Sequence, residues 1–148
     1  MDGFPKLAFD QARLALEHEE LPVGAVVVLN GQVIGSGFNR TFLDNDPTAH
    51  AEIIAIRQAA KAVGDRRLTD ASIYVTLEPC PMCVGAILLA RITKIYFAAY
   101  DPANGACGSR QNLAVYPVFG WSAQVFQMPG QEESAQLIRE FFQKRRGK

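Results

Sequence analysis

The chain has 148 residues, enough for one domain with a sizeable core, and 49% apolar against 20% charged residues is ordinary for a globular protein. Fifteen basic and fifteen acidic side chains cancel and the pI is about 6.7, so no overall field draws the protein onto nucleic acid, and any RNA contact must rest on local patches. No apolar run nears the roughly 20 residues of a membrane span, the N-terminus lacks a signal peptide's regions, and three cysteines make no disulfide framework, so a cytoplasmic protein without membrane contact is expected.

Phe4, Ala8, Ala12 and Leu16 recur at helical spacing and predict a first helix over roughly residues 5–19. "GAVVVLNGQVIGSGFN" is β-rich on both sides of Asn30-Gly31, a dipeptide suited to a tight hairpin turn. Residues 39–47, "NRTFLDNDP", read as a loop with turn formers and a proline. From Thr48 the chain is alanine-rich, with Ile53, Ile54 and Ile56, and predicts a mostly buried helix ending near Gly64. "ASIYVTL" follows as a third strand, Pro81 to Ala90 as another buried helix, "KIYFAAY" as a fourth strand and "SAQVFQM" as a shorter fifth. A last helix begins at Gln131, with Glu132 and Glu133 first and Lys144, Arg145 and Arg146 at the end, an order that suits the helix dipole. With no internal repeat or linker, residues 1–148 read as a single domain, and a hairpin followed by alternating helices and strands predicts a three-layer α/β architecture. About twenty residues between the fourth and fifth strands leave room for a crossover and parallel pairing.

Two polar clusters stand at the mouths of apolar helices: "HAE" at residues 50–52 and "PCPMC" at residues 79–83. Cys80 and Cys83 are three apart, hence on one face of a helix beginning there, and Pro81 suits a first helical position. A helix N-terminus favours thiolate over thiol, the form that binds zinc. His50, at the other helix start, adds an imidazole, and two thiolates with one imidazole are a good zinc set. Only His18 and Cys107 remain as alternative donors of these types; His18 reads as a helix C-terminal polar residue and Cys107 as a packing cysteine. Three protein ligands leave a coordination position open, the mark of a catalytic rather than a structural site. Glu52 points away from His50 on a regular helix and so reads as a base beside the metal rather than a ligand. A Cys-x-x-Cys redox pair is the competing reading, but it explains neither His50-x-Glu52 nor the prolines flanking Cys80.

H-x-E followed by P-C-x-x-C is the zinc deaminase signature, and the likeness extends through "LPVGAVVV", "GFNR", "DPTAHAEIIAIR", "YVTLEPCPMCVGAILLARI", the segment from Asp101 to Ser109, and "FFQKRR". On these motifs the chain resembles the bacterial tRNA-specific adenosine deaminase family, within the cytidine deaminase-like superfamily. The resemblance implies an α/β/α fold with a central mixed five-stranded sheet, a homodimer, one zinc ion per chain, and hydrolytic conversion of adenosine to inosine at the wobble position of a tRNA anticodon stem-loop. It also implies roles for residues: His50, Cys80 and Cys83 as zinc ligands, Glu52 as proton shuttle, Asn39 as a hydrogen-bond partner of the target base, and Asp101 near the substrate sugars. Phe141, Phe142, Arg145 and Arg146 match a C-terminal helix lying beside the RNA, and backbone groups around Ala51 and Pro79 are expected to help hold the base.

The segment "QNLAVYPVFGWSAQVF" departs from that pattern, which commonly carries an Asn-His pair before the fifth strand, and Ala103 and Asn45 stand where relatives carry basic or imidazole groups. Trp121 in this segment reads as an aromatic at a strand start. Three functions therefore remain open on the residues: a tRNA adenosine deaminase, a deaminase of a free base or nucleoside such as guanine or cytosine, and a non-catalytic zinc module. Glu52 argues against the last, since a purely structural site needs no base beside it.

Overall fold

A computed structural model describes residues 1–147. β1 (Gly24–Leu29) and β2 (Gln32–Phe38) form the predicted hairpin, with Asn30 and Gly31 both in the left-handed region at φ 52° and 76°, as a tight turn of this kind requires. β1 also pairs antiparallel with β3 (Ser72–Leu77), β3 pairs parallel with β4 (Lys94–Ala99), and β4 pairs parallel with β5 (Gln124–Gln127). The sheet is thus mixed and five-stranded, in the order β2-β1-β3-β4-β5. The crossover into β5 is parallel, as predicted, yet the connector from Tyr100 to Ala123 contains no helix.

Side-chain alternation along the strands sorts the core onto two faces. Ala25, Val27, Ile73, Val75, Ile95 and Phe97 point to one side, where α2 (Ala51–Val63) and α3 (Pro81–Leu89) cover them. Val26, Val28, Tyr74 and Tyr96 point to the other, covered by α1 (Gly3–Glu17) and α4 (Gln131–Arg146). An Arg13–Glu133 ion pair joins those last two helices. This is the predicted three-layer arrangement.

α2 lies unusually close to the sheet. Gly35 and Gly37 of β2 face Ala51, Ala55 and Ala59, and a Cβ at either glycine would run into the helix backbone. Small residues on both sides therefore set the approach distance and fix where the helix N-terminus sits. That N-terminus is at Ala51 rather than Thr48. Thr48 is diverted: its N–H and hydroxyl both donate to Asp46 Oδ1, at 2.8 and 2.7 Å, turning the chain before the helix begins.

His18 caps α1, its Nδ1 donating to the Leu14 carbonyl at 2.8 Å while the ring stacks on Phe38, as its helix-end reading predicts. Trp121 is likewise architectural: its Nε1 donates to the Leu88 carbonyl at 2.7 Å and the Arg91 guanidinium lies 3.5 Å over its ring, pinning the connector to the end of α3. No helix among the described residues is long and apolar enough to cross a membrane.

Candidate active site

The sheet carries the two helix starts to one place. His50 is the N-cap of α2 and Cys80 the N-cap of α3, with Pro81 in the first turn as the sequence predicts. Neither side chain makes a capping bond to the N–H groups of its own helix, and both turn instead toward each other and Cys83. His50 Nδ1 lies 3.7 Å from Cys80 Sγ and 3.5 Å from Cys83 Sγ, and among the described residues these three form a group able to hold a metal ion. An ion about 2.0 Å from nitrogen and about 2.3 Å from each sulfur, with tetrahedral angles, separates nitrogen and sulfur by about 3.5 Å. The donors fit zinc in both chemistry and spacing. Cys107 stays outside the group as a buried packing residue, its thiol pushed up to about 12 mainly by burial.

The electrostatics of the trio suit ligation. Cys80 is held down to about 4, chiefly because the Cys83 thiol donates to it and His50 adds a second bond; Cys83 is pushed up by the same contact and by burial. His50 is raised through its bond to Cys80. Glu52 is buried at 4% exposure, and desolvation lifts its carboxyl to about 7. Helical angle alone predicts that His50 and Glu52 diverge; in the structure they diverge because His50 is extended, at φ −76° and ψ 155°, while Glu52 stands inside the helix.

All four side chains are reached from a cleft or lie directly behind it. The cleft encloses about 360 Å³ and is lined by His50, Glu52 and Cys80 together with the predicted Asn39, Ala51 and Asp101. Leu21, Val23, Leu77, Glu78, Pro81 and Asn104 complete its walls. Pro79 does not line the cleft: it is buried, and its carbonyl accepts the Ala106 N–H at 2.8 Å. The C-terminal residues form a separate surface. Phe142, Arg145 and Arg146 border an open groove of about 500 Å³ with Ile138 and Arg139, whereas Phe141 is buried at 5% exposure and packs edge-on against Phe142. Arg145 also reaches over the Phe42 ring at 4.5 Å, so α4 touches the loop that follows Asn39.

Two further buried acids, one lining the cleft and one behind it, are not singled out by the sequence. Glu78, 2% exposed, accepts N–H bonds from Asp101, Cys107 and Ser109 at 3.0, 3.0 and 3.1 Å, and the Ser109 hydroxyl as well. Gly105 leaves room for that carboxylate, which a Cβ would strike. Glu20, 0% exposed, accepts from Phe42 and Leu43 in the loop that follows the cleft residue Asn39. The available signal was a carboxylate in an apolar setting: Glu78 ends the run "SIYVTLE" and Glu20 precedes "LPVGAVVV".

Fold and site together define a class of protein: a metal-dependent hydrolase with a cleft between clamped loops and a buried carboxyl group beside the metal ligands. Residues 2–99 match the family described as the cytidine and deoxycytidylate deaminase zinc-binding region. The tRNA-specific adenosine deaminase of Agrobacterium fabrum is 46% identical over 143 residues, 97% of this chain and 94% of its own; that of Bacillus subtilis is 41% identical over 145, covering 98% and 90%. A solved tRNA:A34 deaminase, studied for A-to-I editing at the wobble position, aligns with a TM-score of 0.86 at 46% identity over 90% of this chain and 97% of that one. A guanine deaminase from Bacillus subtilis aligns at TM-score 0.63 and 42% identity over 68% of this chain and 66% of its own. The chain belongs to the tRNA-specific adenosine deaminase family.

Proposed function

We propose that this protein deaminates adenosine to inosine at the wobble position of a tRNA anticodon, as one domain holding one zinc ion on His50, Cys80 and Cys83. One juxtaposition carries that conclusion: the donor trio and the Glu52 carboxyl meet at a single cleft whose walls hold Asn39 and Asp101. Zinc bound there supplies the Lewis acidity that makes water a nucleophile at neutral pH.

The chain's own groups do the rest. An adenine splayed out of a loop enters the cleft, which costs less than extraction from a duplex. Asn39, buried at 7% exposure, offers an amide with donor and acceptor for the purine edge. As water adds to C6, a Glu52 carboxylate oxygen takes its proton and passes it to the ring nitrogen; Glu52 then takes the proton of the new C6 hydroxyl and delivers it to the departing amine, so that the C–N bond breaks, C=O forms, and adenosine and water give inosine and ammonia. A group lifted to about 7 can both accept and release a proton under these conditions. Phe142, Arg145 and Arg146 offer an exposed aromatic and two cations for unpaired bases and phosphate, with Phe141 supporting them from below.

Two coarser features complete the proposal. Exposed Met82 and Leu89 on α3 and Val63 on α2 are apolar surface suited to a second copy of the chain, in keeping with a homodimer, which sedimentation would reveal. The cytoplasm, where tRNA is used, is the expected place of action. Incubation with a synthetic anticodon stem-loop tests the activity. Inosine should appear at the wobble position; release of ammonia from free guanine with the RNA left intact would transfer the assignment to a free-base deaminase.

A further inference from the structure

Glu20 is a buried carboxylate that no step above uses. Burying such a group is costly unless its oxygens are bonded, and here one short loop satisfies them. The Phe42 N–H lies 3.1 and 3.0 Å from the two oxygens, and the Leu43 N–H 2.8 Å from Oε2. Asn39 Nδ2 and Thr41 Oγ1 each approach Oε1 at 3.5 Å, and Asn39 Nδ2 has Thr41 Oγ1 as a second acceptor at 3.5 Å. With N–H donors on both oxygens, Glu20 acts as an acceptor only. The Asn39 amide is therefore turned with Nδ2 toward Glu20 and Thr41, leaving Oδ1 for the cleft. The backbone adds to this hold, since the Asn39 N–H donates to the Val23 carbonyl at 3.1 Å.

We propose that Glu20 is a positioning residue for the deamination: its carboxylate sets the amide orientation of Asn39 and the course of residues 39–43, and thereby the wall against which the target base lies. The inference rests on the reading of Asn39 as the base contact. The loop so held also presents the Phe42 ring on which Arg145 rests, so one buried acid sets both a cleft wall and the seat of the C-terminal helix. Glu78 holds the opposite wall in the same fashion, but it stands two residues from Cys80, where any substitution also disturbs the metal ligands.

Glu20→Gln keeps the shape and exchanges one oxygen for an amino group. If the remaining oxygen keeps Phe42 and Leu43, the new NH2 faces the NH2 of Asn39, and the Asn39 amide must turn over. With a wobble-adenosine stem-loop as substrate, kcat/KM should fall roughly 10- to 100-fold, while zinc content and the thermal midpoint stay near those of the parent. Introduced into Asn39→Ala, the same change should add almost nothing, because the two act through one contact. An E20Q enzyme as active as the parent, beside an impaired N39A, overturns the role of Glu20 and leaves the Asn39 contact standing. Full activity in N39A removes the contact itself and the inference with it. Independent, multiplying losses, or a loss in E20Q that merely follows lost zinc or lost stability, also overturn it. Should E20Q fail to fold, Thr41→Val takes the second acceptor from the Asn39 amide at constant shape. A drop in kcat/KM with zinc retained then supports the inference, and parental kinetics overturn it.

Discussion

Glu52 illustrates what a buried carboxyl group costs its own fold. Burial lifts its carboxyl from the usual 4.5 to about 7, so the native state binds a proton that the unfolded chain gives up. Stability is therefore untouched by this group below about pH 4, declines as pH rises through the interval between the two values, and carries the full penalty above about pH 7. In metal-free protein, Glu52→Gln should raise stability at about pH 8 by on the order of 3 kcal/mol and leave it nearly unchanged at about pH 4. Calorimetry at both pH values checks this, and equal shifts at the two would contradict it. The same variant should lose turnover while still binding zinc, because Glu52 is not among the grouped donors. The sulfurs give a second expectation. With Cys80 held down to about 4 by a proton that Cys83 retains, the empty pair keeps one proton at neutral pH. Zinc must displace it, so affinity should rise about tenfold per pH unit for that proton; a chelator competition series measures the slope, and a flat series would refute it.

At the level of elements, the placement of His50 and Glu52 depends on how closely α2 lies on β2. Gly37→Val puts a branched side chain into the backbone of that helix. It should destabilise the fold by about 1–3 kcal/mol and weaken zinc binding as well, because the helix that moves carries a ligand; denaturant titration and metal analysis report the two effects separately. Here too lies the boundary of what the sequence discloses. Helix and strand identities follow from hydrophobic period, and His50, Cys80 and Cys83 follow from ligand type and spacing near helix starts, all of them local patterns. Glu20 and Glu78 do not follow, because their partners are backbone amides more than twenty residues along the chain, and no periodicity records such pairs. The start of α2 was displaced for a similar reason: a side chain, Asp46, captured the donors of Thr48. Resemblance alone marks the C-terminal stripe as RNA-facing, and only burial separates Phe141, a packing residue, from exposed Phe142.

Across the whole molecule, charge is balanced and binding to an anionic polymer must be local. The exposed groove holding Arg139, Arg145 and Arg146 is a concentrated basic feature of that kind. Replacing Arg145 and Arg146 with Gln should reduce the salt dependence of stem-loop binding by roughly 0.7 in log–log slope for each arginine that touches phosphate. Affinity measured from low to high salt tests it, and an unaltered slope would place the RNA elsewhere on the surface.

The connector between β4 and β5 has a consequence of its own. It traverses one side of the cleft without a helix, held at its start by the Glu78 carboxylate and near its end by the Trp121 bond to α3. The zinc donors come instead from helices rooted in the sheet. The metal-binding centre and this side of the cleft rim are thus built from different stretches of chain, joined at a few fixed points. A lineage can lengthen, shorten or rewrite the span between those two anchor points, and so take up a different nucleobase-bearing molecule, while the machinery that breaks the carbon–nitrogen bond stays in register.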